Sequence, residues 1–336
     1  MAEGLLEVEG EIDLAQFWPA GSSDADTSKI RVDVAQSSFR FRPHTSARFR
    51  TTRVFNDATV KGKTTKPAID ASGRITVRLQ GIDAPELHYR PSATLKKAAR
   101  TAQQNELYLK WNLEYRQPLA ESSTVALTRK LAQAGASLVS CVVRSFVDAP
   151  NDVFDTYGRF VGDIFVRVGT REISINLWAV KSGWALPAFY NSMSDSEIAT
   201  LIDAANSAYD KELGVWPELQ ERVGTLDFKR EFRRKGAALA DDTGPVLVPK
   251  LFRRLAEHAV NKKAKMLTGS FHEFLEGKKD ACFATDDFLD QGVAAEQRQL
   301  HEFVARSGSI LYWPEDLVFK DAPSNLVIPG GGAVEW

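Results

Sequence analysis

In Val77-Arg78-Leu79-Gln80-Gly81-Ile82-Asp83-Ala84-Pro85-Glu86 an alternating segment runs into a turn and ends on two carboxylates. Residues 74–82 alternate in the manner of a strand, and the alternation stops at Asp83-Ala84-Pro85. Pro85 fixes its own φ and stiffens the turn that presents Glu86 beside Asp83. Two carboxylates three positions apart on a rigid turn can divide labour: one binds a hard cation while the other holds a water for attack. Arg78 stands five residues before Asp83. On a straight strand that odd separation puts it on the opposite face, so a twist or a bulge is needed to bring it to the acids. Taken alone, Asp-x-Pro-Glu also describes a solvated turn, because Asp and Pro favour turns for backbone reasons.

Working outward, the 336 residues suffice for a catalytic domain and a second compact unit. The formal net charge of -1 excludes a global polycation, so any attraction to phosphate has to come from local clusters. The two cysteines, Cys141 and Cys282, build neither a disulfide framework nor a CxxC zinc pattern. Cys141 lies in the apolar run 138–143 and reads as a small buried hydrophobe. The acidic start MAEGLLEVEGEIDL is unlike a signal peptide, and no stretch is apolar for long enough to cross a bilayer. A soluble, cytoplasmic protein with no membrane partner is expected.

Strands are expected at 5–18, 28–34, 74–82, 138–147 and 159–168, with helices at about 92–115, 122–133, 175–183 and 194–212. Ser122 and Ser123 stand ready to cap the second helix. Pro217 and the change of composition after it mark the domain boundary, and residues 228–312 read as mainly helical, with Phe252, Leu255, Ala256 and Ala259 at helical spacing.

Two further segments join the first. Ser23-Asp24-Ala25-Asp26-Thr27 precedes a strand and offers paired carboxylates to a cation, and Asp155-Thr156-Tyr157-Gly158-Arg159-Phe160 is a turn that opens a strand and fixes a second arginine. Taken in order with Arg78-x₄-Asp83-x₂-Glu86, with residues 175–185 and with the close at Gly214-Val215-Trp216, they resemble the staphylococcal nuclease (thermonuclease) family over about residues 5–217. The resemblance implies an α+β fold with a mainly β core: a five-stranded OB-fold Greek-key barrel with helices, interrupted by insertions at about 35–73 and 90–121, in a domain spanning 1–217. Residues 228–336 then form a mainly helical C-terminal domain with no recognised family. A Ca²⁺-dependent nuclease acting on DNA, RNA or both follows from the likeness, with 3′-phosphate ends as its expected products. One Ca²⁺ ion would be held by Asp26, Asp83 and the backbone carbonyl of Ala84, where the family often carries threonine. Glu86 matches the glutamate that positions or deprotonates water, Arg78 and Arg159 match the two phosphate-clamping arginines, and Tyr157 matches a phosphate-binding tyrosine. These oxygen ligands suit calcium, and positive charge around the phosphoryl oxygens is what the chemistry needs.

The chain departs from the family at Thr156, where a lysine is common, and at Phe189, where a second phosphate-binding tyrosine would fall; Tyr190 stands next to it. Asp57 is an alternative to Asp26 as the upstream ligand. Residues 39–66 hold Arg40, Arg42, Arg48, Arg50, Arg53, Lys61, Lys63 and Lys66 against the single acid Asp57, interleaved with four phenylalanines. That composition suits a single-strand groove, and equally a half-buried hairpin with phenylalanines inward and arginines solvated. The basic run 229–235 reads first as a solvated helix face and, more sharply, as an arm for nucleic acid or a protein partner docking through 228–336. His272-Glu273-x-x-Glu276 lacks the second histidine of a zinc-protease helix, and His88 reads as a surface residue close to the site. The rival to catalysis is a silent barrel that binds nucleic acid or protein.

Overall fold

A computed structural model describes residues 4–33, 39–52, 55–61, 65–224, 242–322 and 326–327. Five strands close a barrel: β1 (Leu5–Asp13), β2 (Thr27–Val32), β3 (Arg74–Leu79), β4 (Leu138–Phe146) and β5 (Phe160–Val168). Around the barrel β1 pairs with β2 and β2 with β3, both antiparallel. β3 then runs parallel to β5, and the antiparallel pairs β5–β4 and β4–β1 complete the ring. This is the Greek-key order of an OB barrel. The alternation along β2 to β5 aims Ile30, Ile75, Val77, Leu79, Val143, Phe160 and Ile164 into the core, each no more than 1% exposed. Cys141 joins them at 5%.

The expected insertion at 35–73 contains a hairpin. Phe39–Arg42 pairs with Leu5–Val8 on β1, and Arg50–Thr51 pairs with Phe41 and Arg40. Phe39, Phe41 and Phe55 are buried, and Phe55 links Phe39 to Phe154 through edge-to-face contacts at 5.0 and 5.3 Å. These three phenylalanines point inward while Phe49 stays exposed, and the hairpin is part of the core rather than an appendage.

Seven α-helices are present among the described residues. The helical expectation at 92–115 contracts to α1 (Ala102–Trp111), started by a Thr101–Gln104 capping box. α2 runs from Ala120 to Ala132 and begins two residues earlier than expected. Leu119 at its start is left-handed, and the capping acceptor is Asp242, which takes hydrogen bonds from Leu119 N (3.1 Å), Ser122 N (3.0 Å) and Ser122 Oγ (2.8 Å). Ser123 instead bonds back to the Leu119 carbonyl, so the serine cap read from local sequence is not made. α3 (Ile175–Lys181) and α4 (Asp195–Tyr209) pack against the barrel, the first capped by Ser174 and the second by a Ser194–Glu197 box.

The C-terminal segment holds α5 (Pro249–Lys263), α6 (Phe271–Lys278) and α7 (Thr285–Gln291), and also short strands that periodicity did not reveal. Leu317–Phe319 pairs in parallel with Phe189–Tyr190 and antiparallel with Ala281–Ala284, and Leu326–Val327 pairs with Thr59–Val60. Packing thus runs across position 217: one apolar core includes Val77 and Phe189 together with Leu251, Cys282 and Val318. The basic run 229–235 and the glycines 330–332 lie outside the described residues. No described helix is long and apolar enough to cross a membrane.

Candidate active site

Across the antiparallel β2–β3 pair Thr27 lies opposite Arg78, so Asp26 sits at the edge where β3 ends. Leu79 N donates to the Asp26 carbonyl at 2.9 Å and seals that edge. β3 does not continue straight to Asp83. Gly81 turns the chain with φ +75°, a conformation in which a side chain would be strained, and Ile82–Asp83 then pairs with Leu186–Pro187. The turn resets the strand's parity. Arg78 consequently reaches both acids, contacting Asp26 Oδ2 through Nη1 and Asp83 Oδ1 through Nη2 at 2.7 Å. A turn, not a twist or a bulge, brings the arginine to the carboxylates.

The acids are nearly shut off from solvent. The side chains of Asp26, Asp83 and Glu86 are 10%, 5% and 13% exposed. Asp26 Oδ2 accepts from Ala84 N at 3.1 Å, and Glu86 N donates to Gln117 Oε1 at 3.0 Å, which ties both ends of the turn. Asn176 is a buried staple behind them: Nδ2 donates to the carbonyls of Gln80 (2.8 Å) and Gly162 (3.2 Å), and Oδ1 accepts from Ile164 N (3.2 Å). It thereby locks the parallel β3–β5 pair. Asp57, the alternative ligand, is exposed on the insertion, whereas Asp26 belongs to the cluster.

Asp24 joins the cluster too. Its Oδ1 lies 3.2 Å from His88 Nδ1, outside hydrogen-bonding geometry. Burial and then the charges of Asp26 and Glu86 push its carboxyl well above the usual range, against the pull of Arg78 and Arg159. Asp83 behaves oppositely: burial alone would raise it, but the guanidinia of Arg253 and Arg78 hold it at about 2. Glu86 is raised by burial, with Arg253 opposing and Asp83 and Asp26 reinforcing.

The second arginine opens β5, whose parallel register sets Phe160 beside Val77 and Val161 beside Arg78. Gly158 (φ +80°) makes the preceding turn, and Asp155 braces it by accepting from Tyr157 N, Arg159 N and Arg159 Nε at 2.9, 2.9 and 2.8 Å. Tyr157 is 82% exposed with the Arg159 guanidinium 5.4 Å from its ring centre. Phe189 is fully buried. Tyr190 faces the charged cluster, its hydroxyl pKa raised by burial, with Arg78 pulling it down and Asp83 pushing it up.

The hairpin arginines are elsewhere. β1 and β2 intervene between Phe39–Arg42 and the Arg78 strand in the sheet order. Arg40 pairs with Glu7 and Glu9, both at 2.9 Å, and Arg42 lies 5.3 Å from the Phe49 ring centre. Arg48 and Arg50 are exposed. His272 is spent on the Val304 carbonyl (2.8 Å), and Glu273 caps α6.

One member of the site escaped the sequence reading. Arg253 of α5 forks onto Asp83, with Nη1–Oδ1 at 3.2 Å and Nη2–Oδ2 at 3.0 Å, and its Nη1 also contacts Glu86 Oε1. No local signal marks it, because 170 and 167 residues separate it from its partners. Among the described residues, no three His, Cys, Asp or Glu side chains converge as a metal centre; the carboxylate oxygens face the two guanidinia. The donor set nonetheless fits a hard divalent cation in kind, being all oxygen: Asp26, Asp83 and the Ala84 carbonyl.

A closed five-stranded OB barrel with acids and arginines at the end of β3 belongs to a class used for nucleic-acid chemistry and binding. Residues 76–218 match the family described as staphylococcal nuclease homologue, and no family covers the rest of the chain. The match starts inside β3, so β1 and β2, which complete the same barrel, precede it. No curated protein matches the chain closely enough to be called a relative.

Proposed function

We propose that this protein is a Ca²⁺-dependent nuclease that hydrolyses phosphodiester bonds of DNA, RNA or both. The observation that carries the reading is the convergence of Asp26, Asp83, Glu86 and Arg78 at the end of β3, the last three of them within the segment that matches a nuclease family. Calcium held by Asp26, Asp83 and the Ala84 carbonyl would supply positive charge to the scissile phosphate and to the water beside it. Glu86 takes the proton from the attacking water. Its burial lifts its pKa above that of a free glutamate, which suits a base working near neutrality. Water adds to phosphorus in line, its proton passes to Glu86, and the bond to the 5′ oxygen breaks, that oxygen taking a proton from solvent, to leave a 3′-phosphate and a 5′-hydroxyl. Arg78 and Arg159 bind the phosphoryl oxygens, for which their fork geometry is apt, and stabilise the charge that develops there. The Tyr157 hydroxyl adds a hydrogen bond from the solvent side, and Tyr190 borders the cluster. Arg42, Arg48 and Arg50 lie beyond β1 and β2 from the cluster, so a backbone phosphate they meet is distant from the one being cut, while much of the charge of Arg40 is engaged by Glu7 and Glu9.

A barrel that binds nucleic acid without cutting it is the second reading. One observation favours it: Arg253 already takes oxygens of Asp83 and Glu86. The test is incubation of labelled single- and double-stranded DNA and RNA with the wild-type protein and with Asp83→Asn, in calcium and in chelator. Calcium-dependent cutting that disappears in the variant supports the nuclease. Retention of labelled strands without cleavage in any metal supports the binding module.

A further inference from the structure

We infer that Arg253 is a built-in counter-cation of the site, which competes with the divalent cation for Asp83 and Glu86, so that the C-terminal segment sets the cation level at which the site loads. The inference rests on the metal-dependent reading above and goes further, to a residue outside the matched family segment.

α5 carries Lys250, Arg253 and Arg254 at helical i, i+3 and i+4 spacing. Two of the three cations are held within the C-terminal segment. Arg254 forks onto Asp280 at 2.7 and 2.5 Å and touches Glu257 at 3.4 Å, and Lys250 lies 3.8 Å from Asp280. Arg253 alone turns to the barrel. Its contact with Asp83 is bidentate, the strongest form of arginine–carboxylate pairing, and it spans to Glu86 as well. With side chains 27%, 5% and 13% exposed for Arg253, Asp83 and Glu86, water screens these charges weakly.

The helix is fixed in this position. Gln117, which holds the Glu86 backbone, donates through Nε2 to the Leu247 carbonyl at 2.7 Å, just before α5 begins. Asn261, near the other end, accepts from Thr94 N at 2.8 Å and donates to the Ser92 carbonyl at 2.8 Å. Arg253 is thus presented to the carboxylates by a docked element, not by a wandering surface chain.

A divalent ion on Asp83 needs an oxygen lone pair that faces it, yet Oδ1 gives both of its own to Arg78 and Arg253, and the one left on Oδ2 stands beside the Arg253 guanidinium. A guanidinium and a divalent ion on one carboxylate also repel each other. Loading therefore requires Arg253 to let go, and the apparent affinity falls by the fraction of molecules in which it has done so. Arg78 is set apart, because it comes from the barrel itself and divides its contacts between Asp26 and Asp83.

The test is calorimetric titration of the full chain with Ca²⁺ at low ionic strength, for wild type, Arg253→Met and Arg253→Lys, each with and without Asp83→Asn. Circular dichroism and thermal unfolding establish that each variant is folded. Arg253→Met should bind one Ca²⁺ about tenfold more tightly than wild type, or better, with Arg253→Lys in between and Asp83→Asn abolishing binding. Equal or weaker binding by Arg253→Met, with wild-type binding still dependent on Asp83, overturns the competition and leaves the metal-dependent reading standing. Absence of Asp83-dependent binding in wild type and both variants overturns both. Should Arg253→Met not fold, Arg253→Lys decides, tighter binding than wild type upholding the inference and equal binding sinking it.

Discussion

Asp83 accepts from two guanidinia of different origin, one from the barrel strand that precedes its turn and one from a helix 170 residues away. Arg78 and Arg159 are both proposed to bind the phosphate, yet their surroundings differ. Arg78 is 11% exposed and balances two buried acids, whereas Arg159 is 31% exposed and pairs with Asp155 four residues before it. Removing Arg78 leaves buried carboxylates short of a partner, so Arg78→Met should lose both activity and roughly 3–5 kcal/mol of stability in denaturant unfolding. A half-exposed i,i+4 pair contributes about 1 kcal/mol or less, so Arg159→Met should unfold almost like wild type. Its cleavage rate should nonetheless fall by about 10²–10³-fold. If Arg159→Met unfolds early, or cuts at the wild-type rate, the division between the two arginines is wrong. Asp26, Asp83, Glu86 and Arg78 were legible because each sits within a few residues of a turn or strand edge that the sequence marks. Arg253 was not, since a pairing made only in three dimensions leaves no local pattern.

Barrel strands proved readable where apolar residues alternate, and β4 and β5 appear within a residue or so of their expected ends. Helix limits failed where the deciding contact is distant. Leu119 and Ser122 owe the start of α2 to Asp242, 123 and 120 residues on, so local serines misled. The expected helix at 92–115 shrinks because residues 92–96 serve α5 through Thr94 and Ser92 instead. On β5, Asp163 is half-buried beside the N-terminus of α3, accepting from Ser174 Oγ at 2.9 and 2.7 Å, and desolvation of its carboxyl pushes its pKa up to about 7. The folded state then holds this proton more tightly than the unfolded chain. The contribution of Asp163 to stability therefore falls as pH rises from about 4 to 7 and levels off above. Asp163→Asn should gain on wild type over that range, by on the order of 2 kcal/mol between pH 4.5 and pH 8 in denaturant titrations. A difference that stays constant with pH would show that the carboxyl ionises freely in the fold.

At the scale of the molecule, an insertion that carries buried phenylalanines and a C-terminal segment that lends a strand, a cap and an arginine are both packed into the barrel's own structure. Composition shifts at 217, but hydrogen bonds and core contacts cross it, and composition does not report which surfaces meet. Truncation after Trp216 should for that reason give a chain of much lower thermal stability than the whole. In the full chain, Asp242→Ala should cost about 1–3 kcal/mol, since it strands buried donors at the start of α2. A truncated chain as stable as the full one would contradict this integration.

The most direct measurement of the central claim is the single-turnover cleavage rate of a labelled single strand at saturating Ca²⁺, for wild type and Glu86→Gln, with strand binding measured alongside. A general base at Glu86 predicts a fall of about 10²–10⁴-fold in rate with binding little changed. Equal rates for the two proteins, or tight binding by a folded wild type that never cuts, would contradict it.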